Sequence, residues 1–139
     1  MSKRSIGFVI LAAAAINAAT ALTATGARPP VQASRVTFNG VTLVCGHYLM
    51  GDYIVVHDDN QMAAGEACTT FYRLRPGKAA VAEVLFHCIP RQRAPVAQTT
   101  ITTVPTGGVS TTTHAVELLE FQIAGDSEAH GVPPFDAKR

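Results

Sequence analysis

The 139-residue sequence lacks any cluster of Lys and Arg, and so lacks the electrostatic footprint that a nucleic-acid or anionic-membrane binder needs. Arg91-Gln92-Arg93 is only a local basic spot, so no nucleic-acid partner is expected. Also missing are Cys-x-x-Cys and His-x-x-x-His, the spacings that fix a tetrahedral zinc site within one short segment, and Cys-x-x-Cys-His, which would attach a haem. Gly107-Gly108 lies between Thr-rich segments with no helix after it, which removes a phosphate-cradling loop. Outside the first 27 residues no apolar stripe recurs at helical spacing, and that argues against a helical domain.

What is present begins with a leader. Lys3 and Arg4 precede an apolar run over residues 6–15, and small residues follow as far as Ala27. This is the three-part layout of a secretory signal peptide spanning 1–27, with cleavage expected after Ala21 or Ala27. The alternative is an uncleaved anchor, which would be the chain's only membrane contact. Its apolar core is shorter than the about 20 residues of a spanning helix. No cysteine lies near either cleavage site, so a lipoprotein anchor is not expected. The expected location is therefore secreted or periplasmic. Removing 27 of 139 residues leaves 112, enough for one compact domain, with nine Lys and Arg against ten Asp and Glu.

The remaining chain reads as β-structure. Residues 28–34, with Pro29-Pro30, form an extended lead-in, and 35–134 form a single domain before a loose tail at 135–139. Val36 and Phe38 alternate with polar neighbours, and Asn39-Gly40 is a two-residue hairpin signal. The stretch 68–88 reads as a second hairpin, turning at Pro76-Gly77. A register in which paired numbers sum to 156 sets Tyr72 opposite Val84, Thr70 opposite Phe86 and Cys68 opposite Cys88. Residues 98–104 and 109–113 form a Thr-rich hairpin, and in 116–124 Leu119, Phe121 and Ile123 share one face. Pro90 is expected to end the strand before it. The fold class is all-β: a small antiparallel β-sandwich or partly open barrel of about seven or eight strands.

Two short stretches carry a resemblance. Leu43-Val44-Cys45-Gly46-His47-Tyr48 and the segment from Gly125-Asp126 to Gly131-Val132-Pro133 resemble elements of small exported bacterial proteins of uncharacterised function. Those proteins carry Leu-Pro-Ala-Gly-x-Tyr near the start of the mature domain and a Gly-Asp loop followed by Gly and Pro near its end. Val44 and Cys45 stand where that pattern has Pro and Ala, which marks Cys45 as an addition. The resemblance implies a β-sandwich-like fold and no activity.

Three functions fit these residues. The first is a non-enzymatic binding or structural domain of the cell envelope, with an unknown ligand or envelope protein as partner, stapled by a Cys68–Cys88 disulfide as an oxidising compartment favours. Its contacts are expected in the polar loops that carry His57, Asp58, Asp59 and Met62 and, later, Asp126, Glu128 and His130. The second is a copper or zinc site using His57, His87 or His130 with Met62 or a cysteine. His87 and Cys88 are adjacent on a strand and should point to opposite faces, with His87 beside Phe71 and Leu85. The third is self-assembly as a homo-oligomer through the Thr-rich hairpin or Cys45. Enzymatic arrangements fare worse: Asp58-Asp59 are adjacent, Asp126-Ser127 and His130 lack a nucleophile's turn, and Cys45 with His47 makes a weak thiol–imidazole pair.

A bridge from Cys68 to Cys88 closes roughly 20 residues, worth about 3 kcal/mol in the loop-entropy model. Cys68→Ala should therefore lower the melting temperature of the oxidised protein markedly in a thermal melt. An unchanged value counts against the bridge.

Overall fold

The computed structural model describes residues 28–106 and 115–134. The leader with its cleavage sites, the expected return strand at 109–113 and the tail lie outside the described residues. The chain forms β1 (Val31–Val44), β2 (His47–Asp58), a single helical turn α1 (Asp59–Ala63), β3 (Thr69–Arg75), β4 (Lys78–Phe86), β5 (Ile89–Gln92), β6 (Thr100–Pro105), β7 (Val116–Gln122) and β8 (Glu128–Gly131). The strands make one sheet in the order β4-β3-β2-β1-β7-β8-β5, with β6 paired on β7. All pairings are antiparallel except a short parallel contact of β1 with β7.

The first hairpin turns at Cys45-Gly46, not at Asn39-Gly40. Val44 pairs with His47, and the two turn residues have φ of 46° and 82°. Positive φ at both central positions matches the right-handed twist of the strands on either side. Asn39 and Gly40 instead lie within β1, where the register shifts between Phe38 and Thr42 and three residues oppose Met50 alone. The bulge absorbs the Asn-Gly pair without ending the strand. Val31 already pairs with Asp58, so the lead-in expected through residue 34 is part of β1 from Val31 onward.

The 68–88 hairpin is one residue out of the expected register. Phe71 pairs with Val84 and Thr69 with Phe86, so Phe71 rather than Tyr72 faces the core. A one-residue slip exchanges the two faces of a strand. It removes Phe71 from the side of His87 and Leu85, which are both exposed. In β7, Leu118 joins Phe121 in the core, because the β6–β7 register shifts between Thr102 and Thr103 and passes over Leu119. After Pro90 the chain does not leave the sheet. Pro90 sits in β5, an end strand where its missing N–H is tolerated.

β4 and β5 stand at opposite ends of the strand order, yet only His87 and Cys88 separate them in sequence. At about 3.3–3.6 Å per residue, this link makes the sheet curve until its two ends come within a short span of chain, without pairing to each other. The core fills the inside of that curve. Phe71 is fully buried, with the rings of Phe38, Tyr53, Phe86 and Phe121 at centroid distances of 5.9, 6.4, 6.1 and 5.8 Å.

Truncating this central ring leaves a cavity that four neighbouring aromatics cannot close. Phe71→Ala should cost about 3–5 kcal/mol. Urea unfolding should show a lower midpoint at an unchanged slope, and a loss under about 1 kcal/mol would mean that the cluster tolerates repacking.

Candidate metal centre

Strand phasing places the first functional side chain. In β2, Tyr53, Val55 and His57 are all buried, so His57 continues the inward face that the two apolar residues begin. Register then sets Thr69 beside it, and the Cys68 carbonyl accepts from Asp58 N at 2.8 Å. On the far side of the sheet, His130 of β8 pairs with Phe121 and stacks on its ring at 4.9 Å. Curvature closes the gap between these elements. The His57 and His130 rings lie 4.1 Å apart although β2 and β8 are not neighbouring strands. Cys88, in the link between β4 and β5, brings its sulfur between them.

Both imidazoles present Nδ1 to Cys88 Sγ, each at 3.6 Å. Their Nε2 atoms point away, toward carboxylates. His57 Nε2 lies 2.8 Å from Asp59 Oδ1, and His130 Nε2 lies 3.5 Å from Asp126 Oδ2. A carboxylate only accepts, so in the neutral ring Asp59 places the His57 proton on Nε2 and turns the Nδ1 lone pair to the sulfur. His130 Nε2 is buried without a hydrogen-bond partner. Cys68 Sγ sits 3.1 Å from Cys88 Sγ and accepts from Cys88 N at 3.3 Å.

The surroundings carry negative charge. Arg28 pairs with Asp59 at 3.1 Å, Glu128 at 3.1 Å and Asp126 at 3.6 Å, so one cation serves three carboxylates. Gln32, oriented to satisfy both neighbours, donates to Asp126 and accepts from Arg28 Nε, each at 2.8 Å. Burial, helped by the neighbouring His57, lowers the His130 pKa from 6.5 to about 4. Burial and the contact with Cys68 push the Cys88 thiol up to about 12. At neutral pH the metal-free centre therefore holds a neutral His130 imidazole and a protonated Cys88 thiol.

These spacings can be compared with those of a coordinated ion. Nitrogen about 2.0–2.1 Å and sulfur about 2.3 Å from a tetrahedral metal lie about 3.5 Å apart, and two thiolates about 3.8 Å apart. Both Cys88–imidazole separations fit, whereas the Cys68–Cys88 separation is too short. His57, Cys88 and His130 thus form the ligand-like group, all buried, with their ligand atoms within 4.8 Å of one another. Asp59 supplies at His57 Nε2 the kind of outer hydrogen bond that orients a metal-bound histidine, while Asp126 stands 3.5 Å from His130 Nε2 without bonding it. A second group, His57, Asp59 and Glu128, shares His57, and Arg28 already lies against both its carboxylates.

No protein-family model, curated protein or solved structure matches this chain.

The structure sorts the residues singled out from sequence. His57, Asp59, Asp126, Glu128 and His130 come together from two distant segments, but as partly or fully buried groups rather than exposed loops, with His57 and His130 on strands. His87 is exposed while Cys88 is buried, and it takes no part in the cluster. Asp58 caps α1 by accepting from Asn60 N and Gln61 N, and Met62 packs against the core. Cys68 and Cys88 are both free thiols in contact. Ser127 is exposed while His130 is fully buried. Cys45 lies in its turn with its thiol pushed up to about 11 by burial and Glu117, and His47 is exposed. Arg28, Gln32 and Thr69 were not expected at a site. Only the phasing of His57 with Tyr53 and Val55 was a signal in the sequence.

His130 gives the metal-free protein a defined pH response. Unfolding lets it take up a proton between pH about 6.5 and about 4, where the folded state resists protonation, so stability is greatest above 6.5 and falls as the pH drops through this window. His57, Cys88, Asp126, Glu128 and Arg28 surround the ring and shape that titration. Denaturant unfolding of metal-free protein should show the loss, and His130→Gln should flatten it. An unchanged slope in the variant would assign it to another group.

Proposed function

We propose that this chain is an exported β domain whose buried His57, Cys88 and His130 hold a zinc or copper ion. One observation carries the proposal: two imidazoles aim Nδ1 at the same sulfur, each at 3.6 Å, while carboxylates stand at their outer nitrogens. A structural pair of buried histidines needs neither this convergence nor the three carboxylates that share one arginine. Two imidazoles and a thiolate suit a borderline or soft ion, and the nearby negative charge favours a cation. Binding releases the Cys88 proton, which lets the thiolate form despite its burial.

The short link between the sheet's two ends supports a partly open barrel as the architecture around the ion. A groove of about 660 Å³, lined in part by Arg28, Gln32, Ile123 and Asp126, reaches the outer side of the charged cluster. Export rests on the leader-like residues 1–27 and on the resemblance to small exported bacterial proteins.

A second function is favoured by the 3.1 Å contact of Cys68 with Cys88: a disulfide-stapled binding domain in which the two histidines are structural. The two differ in the redox state that they require.

Reduced protein should bind one Zn²⁺ or Cu⁺ per chain, measured by native mass spectrometry and by competition with a chromogenic chelator. Asp59→Ala, which removes the outer partner of His57, should weaken binding about 10–100-fold. Cys88→Ser should weaken it at least as much, and His87→Ala should leave it unchanged. Failure of the reduced wild type to take up either ion removes the proposal and favours the stapled domain.

A further inference from the structure

We propose that Cys68 places the metal centre under redox control, because a Cys88 thiolate bound to the ion and a Cys68–Cys88 disulfide are alternative states of one sulfur. The inference rests on the metal-binding function above and concerns its regulation. Cys88 Sγ has two competing sets of neighbours: His57 and His130 at 3.6 Å on one side and Cys68 at 3.1 Å on the other. The first set has the spacing of a shared tetrahedral ion. The second is too close for two thiolates on that ion and about 1 Å from a sulfur–sulfur bond. Cys68 therefore stands beside the ligand group without belonging to it. Its sulfur is held in line by the Cys88 N–H at 3.3 Å.

The position of the pair suits a switch. Cys68 precedes β3 and Cys88 lies in the link between β4 and β5, so neither belongs to a strand of the sheet. Cys68 is tied to β2 through its carbonyl, which accepts from Asp58 N, so it is the side chain that is left to move. Both cysteines are buried, and Cys88, at 9% against 2% for Cys68, is the more exposed of the two.

The oxidant is a low-molecular-weight disulfide. The Cys88 thiolate attacks one of its sulfurs, breaks its S–S bond and expels one thiolate, forming a mixed disulfide and leaving the ion with two imidazoles. Cys68 then attacks the Cys88 sulfur, loses its proton and expels the second thiol. The two protein sulfurs give up two electrons, the reagent's disulfide becomes one thiolate and one thiol, and the ion leaves with its charge unchanged. Reduction by a dithiol reverses the sequence and restores the ligand.

The test uses the intact protein. Reduced wild type is loaded with Zn²⁺ and treated with glutathione disulfide, while released zinc is followed with a chromogenic chelator and the protein by intact mass. One equivalent of zinc should leave as the mass falls by two hydrogens, with the bridge mapped to Cys68 and Cys88, and dithiothreitol should restore uptake. Cys68→Ser should bind zinc within about tenfold of wild type and keep it at the oxidant concentration that empties wild type. If the reduced wild type takes up no zinc, both the metal function and its control fall. If a bridged protein keeps its zinc, or Cys68→Ser releases it as readily as wild type, the redox control alone is overturned and the metal site stands. Should Cys68→Ser not fold, the wild-type release and its reversal by dithiothreitol decide the matter.

Discussion

The link of two residues between β4 and β5 constrains the whole sheet. His87 and Cys88 connect strands at opposite ends of the strand order, so the sheet must curve until those ends come within a short span of chain. That curvature brings the inward face of β2 over β8 and stacks two imidazoles inside the protein. It also forces Cys88 into the seam, where its sulfur meets both rings and Cys68. A flatter sheet of the same strands would leave His57 and His130 apart.

Burial gives this arrangement its chemical character. Water is excluded from the rings, so neutral imidazole is favoured at His130 and the free thiol at Cys88. Both features are what a cation would find useful: lone pairs that protons do not occupy, and a sulfur whose anionic form becomes favourable only once positive charge is present. The outer carboxylates of Asp59, Asp126 and Glu128 hold negative charge close by, and Arg28 offsets only part of it. Such a cluster, left to itself, is costly for a small domain. A bound ion would turn that cost into stability.

Much of the β-character was legible in the sequence, because alternation of apolar residues follows directly from the pleat. Val84, Phe86 and Cys88 illustrate this, whereas His57, expected in a polar loop, continues the inward face of Tyr53 and Val55. Bulges were the main obstacle. Asn39-Gly40 has the composition of a turn and yet sits in a bulge, while Cys45-Gly46 takes the turn because Val44 and His47 are the residues that pair across it. In β7 a bulge at Leu119 exchanged the expected faces of Leu118 and Leu119. Each bulge depends on which partner strand lies alongside, and that information is not local.

The sequence by itself determined which residue types were available: alternating strands, three cysteines, five histidines, and acidic groups in the segments around residues 57–66 and 125–133. It also excluded His87 as a companion to Cys88 on one face, since adjacent strand residues point opposite ways. Only the tertiary structure decided that His57, Cys88 and His130 meet, and that Arg28 and Gln32 stand behind them. The physical reason is distance along the chain. Histidines 31 and 42 residues from Cys88 carry no common spacing and are brought together only by the curvature of a whole sheet.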